Sequence, residues 1–121
     1  MSNRSSVNRA SRALTLLLCA ALSSCCKRDV QARHPSPSGA KVLTIVRVDC
    51  AGFDSFRTEV RLGGVDAMAR PTGGGIVARI SSSPVVQVTW ADESSVVVFV
   101  PKEYHVDIQK KELDGVRIDL R

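Results

Sequence analysis

Little in this chain of 121 residues is aromatic. Three Phe, one Tyr and one Trp leave scant means of stacking nucleic-acid bases, because a single-strand groove interleaves aromatic rings with its basic groups. Histidine occurs only as His34 and His105, and the four cysteines show neither a CxxC nor the Cys/His spacing of a zinc site. The twelve-residue acidic spacing of a calcium loop is missing as well, so neither metal nor cofactor is expected. Gly73-Gly74-Gly75 lacks the following Lys-Ser/Thr and helix of a phosphate cradle, and no G-x-S-x-G marks a nucleophile elbow. The longest apolar run, residues 13–22, rises about 15 Å as a helix, half of a bilayer core of about 30 Å. It is too short to span a membrane permanently. Outside it no window repeats apolar residues at spacings of three and four, so no helix is expected in the rest of the chain.

The formal charge of +5 is unevenly placed. Residues 1–24 hold Arg4, Arg9 and Arg12 without an acid, and residues 25–40 hold Lys27, Arg28 and Arg33 against Asp29. Residues 41–121 hold 11 basic and 11 acidic side chains. A surface that follows nucleic-acid phosphates needs concentrated basic charge to release counterions, so no nucleic-acid partner is expected. A single small domain is what the length and the 44% hydrophobic content accommodate.

The first 24 residues read as a secretory signal: polar and basic MSNRSSVNRASR, apolar ALTLLLCAAL, then small Ser23 and Ser24. Leu22-Ser23-Ser24-Cys25 resembles the lipobox of bacterial lipoproteins, in which an aliphatic residue stands three before an obligatory Cys. Only Cys25 fits. Cys26 would put Ser23 at the aliphatic place, and Cys19 lies inside the apolar run. The resemblance implies cleavage between Ser24 and Cys25 and a diacylglyceryl thioether on Cys25, anchoring the chain to the membrane at about 0.8 kcal/mol per buried methylene. In such lipoproteins an Asp after the lipidated Cys signals inner-membrane retention. Cys26 stands there instead, which implies a lipid-anchored protein of the bacterial cell envelope, on the outer membrane and facing the periplasm. A soluble secreted protein cut near Ser24, or a short anchored segment, is the alternative.

Residues 25–40 read as the lipidated N-terminus and a flexible linker: KRDVQARHPSPSGA combines charge, Pro, Ser and Gly without apolar periodicity. His34, beside Pro35, reads as solvated. Once Cys19 leaves with the signal and Cys25 takes lipid, Cys26 and Cys50 remain in an oxidising compartment. One disulfide pinning linker to domain satisfies the count, and so do two independent thiols.

From residue 41 to 121 the period is two. In SFRTEVRL, Phe56, Thr58, Val60 and Leu62 alternate with Arg57, Glu59 and Arg61. VVQVTW, YHVDI and GVRIDL alternate likewise, placing Val86, Val88, Trp90, Tyr104, Val106, Ile108, Val116, Ile118 and Leu120 inward. IVARI adds a seventh candidate to VLTIV and VVVFV, which are nearly continuous in apolar and β-branched residues and read as strands covered on both faces. Short turns, among them Leu113-Asp114-Gly115, require mostly antiparallel pairing. The expected fold is all-β: a small antiparallel meander or two-sheet sandwich of about six to seven strands, after an N-terminal signal helix and a disordered tether.

SPSGAKVLTIVRVD and VTWADESSVVVFV resemble strand starts of bacterial β-propeller blades, and the order of Asp49-Cys50-Ala51-Gly52-Phe53, Thr58-Glu59-Val60 and Asp114-Gly115-Val116-Arg117-Ile118 resembles small bacterial envelope proteins. Two such pieces cannot close a propeller, and the resemblance implies no activity. Asp49 and Asp54, in a Gly-containing turn, read as solvated. His105 and Asp107 share one pleat face and are the chain's one acid–base pair, without a nucleophile motif beside them. The expectation is a non-enzymatic binding or structural module with an envelope protein as partner. The alternative is a hydrolase or saccharide-binding accessory protein using the face around His105 and Asp107 and the loop 63–75.

Overall fold

The computed structural model describes residues 26–50, 56–64 and 74–121. The signal segment, Ser24, Cys25, Asp54 and most of the loop 63–75 lie outside the described residues.

The fold is all-β, with nine strands in two sheets. Sheet 1 has the order β1 (Cys26–Pro35), β2 (Lys41–Cys50), β3 (Arg57–Gly64), β4 (Gly75–Ser81), β7 (Val106–Gln109), all antiparallel. Sheet 2 has the order β5 (Gln87–Asp92), β6 (Ser95–Phe99), β9 (Val116–Leu120), β8 (Glu112–Leu113). All seven anticipated strands form. β8 is the short first arm of the Asp114-Gly115 hairpin, whose two turn residues both have positive φ, 48° and 74°, as a two-residue turn between twisted strands requires. The departure from antiparallel pairing is β6 with β9. Between them the chain leaves sheet 2 to add β7 to the edge of sheet 1, and it returns in the direction of β6.

The ninth strand corrects the reading of a linker. Residues Cys26–Pro35 are paired with β2 along their whole length, from Cys26 opposite Cys50 to Pro35 opposite Val42, with Gln31 bulged out. Both ends are fastened. Cys26 and Cys50 are joined by a disulfide. At the far end the turn 36–40 closes through Ser36 N–H to the Lys41 carbonyl at 2.8 Å, and Ser38 N–H donates to the Glu93 carboxylate. Charge, a proline and a bulge are how an edge strand avoids pairing with other chains, and the same features made this one look like a tether.

The core lies between the sheets. Leu43, Ile45, Val60, Leu62, Val77, Ala78 and Ile80 from sheet 1 meet Val96, Val98, Val100, Val116 and Ile118 from sheet 2. β2 is covered on both faces, all five of Val42–Val46 being buried. β6 is not, contrary to the expectation for VVVFV. Val96, Val98 and Val100 are buried, but Val97 is half-buried and Phe99 is 42% exposed, because sheet 2 turns one face outward. In β7 the pairing slips between Arg79 and Ile80 and leaves Asp107 unpaired. Ile108 therefore joins Arg79 on the outer face of sheet 1 and not Val106 in the core.

Trp90 packs inward, and its indole Nε1–H donates to the His34 carbonyl at 3.0 Å, giving a half-buried indole the partner it needs and tying β5 to β1. His34 is accordingly not a solvated linker residue. It is half-buried opposite Leu43, and its Nε2 is buried without a hydrogen-bond partner. Burial lowers its pKa from the ordinary value of 6.5. A depressed histidine pKa means the unfolded chain takes the proton more readily, so this contribution to stability is complete above about pH 6.5 and is lost as pH falls toward the folded-state value. The melting temperature is expected to decline between pH 7.5 and 5.5, and less steeply in His34→Gln. Equal slopes in the two proteins would refute the assignment.

Candidate functional site

The outer face of sheet 1 gathers the charge that looked balanced along the chain. Register assigns its rows across the strands. Next to the Cys26–Cys50 bridge lies Arg28, Val48, Arg57, then Val30, Val46, Glu59, Arg79, Ile108, and then Arg33, Thr44, Arg61, Ile76. Five arginines and one carboxylate thus occupy one face. Alternation places Arg57, Glu59, Arg61 and Arg79 there, on the polar phases of strands whose other phase fills the core, and the bulge at Gln31 brings Arg33 onto the same face as Arg28.

Glu59 is the centre of this arrangement. It is fully buried, and three guanidinium groups approach it. Arg61 holds it most closely, Nη2 at 2.9 Å and Nε at 3.2 Å from Oε1, with Nη1 donating to the Gly74 carbonyl at 3.2 Å. Arg28 Nε and Arg79 Nε stand at 3.8 Å from its two oxygens, within Coulomb range but beyond a hydrogen bond. An unpaired buried carboxylate is very costly. Here one acid recruits more than one positive charge, and the Nε atoms of Arg57 and Arg79 are buried without a hydrogen-bond partner. Arg28 and Arg79 keep 35% and 36% of their side chains exposed, and Arg33 is exposed. Guanidinium groups so placed bind oxyanions, phosphate above all, through paired N–H donors.

The residues singled out in sequence fare differently. His105 Nε2 lies 2.8 Å from Asp107 Oδ1, so the pair exists, with both side chains largely exposed at 77% and 62%. His105 precedes β7 and Asp107 is its bulged residue; the Ser81 hydroxyl nearby accepts from the His105 backbone N–H at 3.0 Å. The grooves on the outer face of sheet 2, lined by Ser95, Val97, Glu112, Arg117 and Asp119 among others, do not include the pair. Asp49 sits beside the disulfide at the end of β2, and its companion Asp54 lies outside the described residues. No group of three or more potential metal ligands occurs among the described residues. Of the loop 63–75, the described residues are Gly63 and Gly64 at the end of β3, Gly74, and Gly75 at the start of β4.

The arginine face escaped the sequence reading because charge was summed by segment. Its signal was present: Arg57-x-Glu59-x-Arg61 on one strand phase and Arg79 on the polar phase of the next strand.

Glu59 carries the expected consequence. Glu59→Ala removes the carboxylate held by the nearly buried Arg61 guanidinium (11% exposed) and should cost about 3 kcal/mol, as breaking a buried pair does. Arg28→Ala, at a partly exposed and longer contact, should cost under about 1 kcal/mol. Urea midpoints of the two variants measure both, and equal shifts would remove Glu59 from the centre. Compared with protein-family models, with curated proteins and with solved structures, the chain matches none, and its chemistry is read from these residues alone.

Proposed function

We propose that this chain is an envelope lipoprotein, anchored through Cys25 on the outer membrane and facing the periplasm, whose β domain acts as a non-enzymatic binding or structural module at the membrane surface. The observation that supports the reading most is that the residue after the lipobox cysteine is fastened into the sheet. β1 already includes Cys26, the residue directly after the lipobox cysteine, and Cys26 is bonded to Cys50. A disulfide suits an oxidising compartment outside the cytoplasm. With no tether between anchor and sheet, acyl chains on Cys25 would hold the domain within one residue's reach, about 3.3–3.6 Å of chain, of the lipid interface. The linker imagined from sequence would instead have let it stand off by several tens of ångströms.

The hydrolase or saccharide-binding reading runs through His105 and Asp107. Their 2.8 Å contact is the arrangement of a base and its orienting carboxylate, but exposure on the rim of a sheet gives a substrate little to converge on.

The cysteines make the proposal sharp. In the mature protein the thiol of Cys25 is consumed by lipid and those of Cys26 and Cys50 by each other, so alkylation under denaturing conditions should find no free thiol before reduction and two after it. Intact mass should show the acyl groups, and Cys25→Ser should lose them and accumulate uncleaved. A parent protein cleaved normally, without lipid, would sink the anchor. His105→Gln should change stability by less than about 0.5 kcal/mol. Any turnover abolished by that change in a protein still folded by circular dichroism would move the enzyme reading ahead.

A further inference from the structure

We propose that β5 is an open sheet edge on which a second copy of this chain pairs its own β5, antiparallel about a twofold axis at Val88. The pairing goes beyond the binding-module reading and does not depend on the anchor, since it uses the β domain alone.

Three observations carry it. The first is which edges are guarded. Each sheet ends in two terminal strands, and exposed edges are blunted by charge, proline, bulges or shortness. β1 has Lys27, Arg28, Asp29, Arg33, Pro35 and its bulge. β7 is four residues long with a bulge at Asp107, and β8 has two residues. The β5 edge has none of these from Val85 to Trp90: VVQVTW is uncharged and free of proline, and the bulge at Ala91 comes only after it. Such a run is the signature of a segment that pairs between chains.

The second is unfinished burial. Val86, Val88 and Trp90 pack inward but stay half-buried, whereas Val96, Val98, Val116 and Ile118 on the neighbouring strands are buried. Val85, at the head of the edge, is 81% exposed. A strand laid beside β5 would cover this side of the core.

The third is the direction of the free backbone groups. The carbonyls of Ser94 and Val98 accept from the backbone N–H groups of Arg117 and Arg121 at 2.8 and 2.9 Å. A strand residue directs its N–H and C=O to one side, so Val96 and Val98 face β9. Val97 and Phe99 then face β5, where they pair with Thr89 and Gln87. Val88 and Trp90, and Val86 in the same phase, therefore turn their backbone groups to the open edge, and among the described residues nothing there bonds them. These positions are symmetric about Val88. Antiparallel pairing of two copies centred there bonds Val88 to its counterpart and Val86 to Trp90 of the second copy, and sets the exposed Gln87 opposite Thr89. No charge meets a like charge. The edge is complementary to itself, and that commits it to a second copy.

Oxidative cross-linking reads the register. Gln87 and Thr89 of opposite copies form a non-hydrogen-bonded pair, about 4.5 Å between Cα atoms and within disulfide reach. Two copies of Gln87, or of Thr89, are diagonal neighbours about 7–8 Å apart. A mixture of full-length Gln87→Cys and Thr89→Cys proteins in detergent should therefore give a disulfide-linked dimer of one of each, and either protein alone should give far less. Sedimentation equilibrium in density-matched detergent should find a concentration-dependent dimer. Gln87→Lys/Thr89→Lys opposes like charges twice on an exposed face and should raise the dissociation constant about tenfold. Gln87→Lys/Thr89→Glu makes the same pairs attractive and should restore the parent value, with circular dichroism unchanged in both. A protein that stays monomeric up to about 100 µM, a dimer indifferent to the first double variant, or equal cross-linking by the single variants alone would overturn the proposal. If intact mass shows no acyl group, the anchored reading has failed by itself, and the same measurements without detergent still decide the pairing.

Discussion

A fully buried carboxylate in the third strand sets the conditions that much of this structure meets. Desolvating Glu59 is tolerable only with positive charge close by, and the charge has to come from separate strands. Arg61 is on its own strand, two residues on, and shares its face. Arg79 is opposite it in β4. Arg28 belongs to β1, two strands away across β2, and reaches Glu59 only if β1 is part of the sheet. The disulfide at Cys26 and the contacts of the turn 36–40 keep it there. Removing β1 would take away one of three cations and uncover one side of β2, now buried along Val42–Val46.

Edge position explains why β1 was invisible in the sequence. A strand with one free edge needs charge, a proline and a bulge to stay unaggregated, and KRDVQARHP has all of them. Its apolar content is confined to Val30 and Ala32, separated by the bulged Gln31, so the alternation that revealed the other strands is interrupted. Composition separates strand from linker only where burial demands apolar residues. Here the demands are cross-strand pairing and charge matching, neither of which leaves a local mark.

Elsewhere legibility followed the same physics. The period of two placed Val60, Leu62, Val116 and Ile118 in the core, because burial of one face writes itself into every second residue. It failed at Ile108, where one unpaired residue, Asp107, reverses the faces and nothing in YHVDI announces it. It overreached at Val96–Val100, since a continuous apolar run fits both a doubly covered strand and a singly covered one. Phe99, with the Arg121 guanidinium 6.0 Å from its ring, is the residue that distinguishes them. Of the candidate site, Arg57, Arg61 and Arg79 were readable on polar strand phases, whereas Arg28 and Arg33 were hidden in the supposed linker, and the assembly depends on the order β1-β2-β3-β4, which is tertiary information.

The balance of charge in residues 41–121 does not describe any one face of the folded domain, for a general reason. A sum over sequence measures long-range potential from an unstructured chain, whereas binding responds to charge within roughly a Debye length. Folding separates the two. Here it moves Arg28 and Arg33 out of a supposed linker, sets them beside Arg57, Arg61 and Arg79, and leaves acids such as Asp92, Asp114 and Asp119 with the other sheet. The sandwich is thereby polarised across its thickness while its total charge changes little. Charge of that kind is invisible to any sum along the chain, because it exists only once the strand order brings distant residues to one side of a sheet.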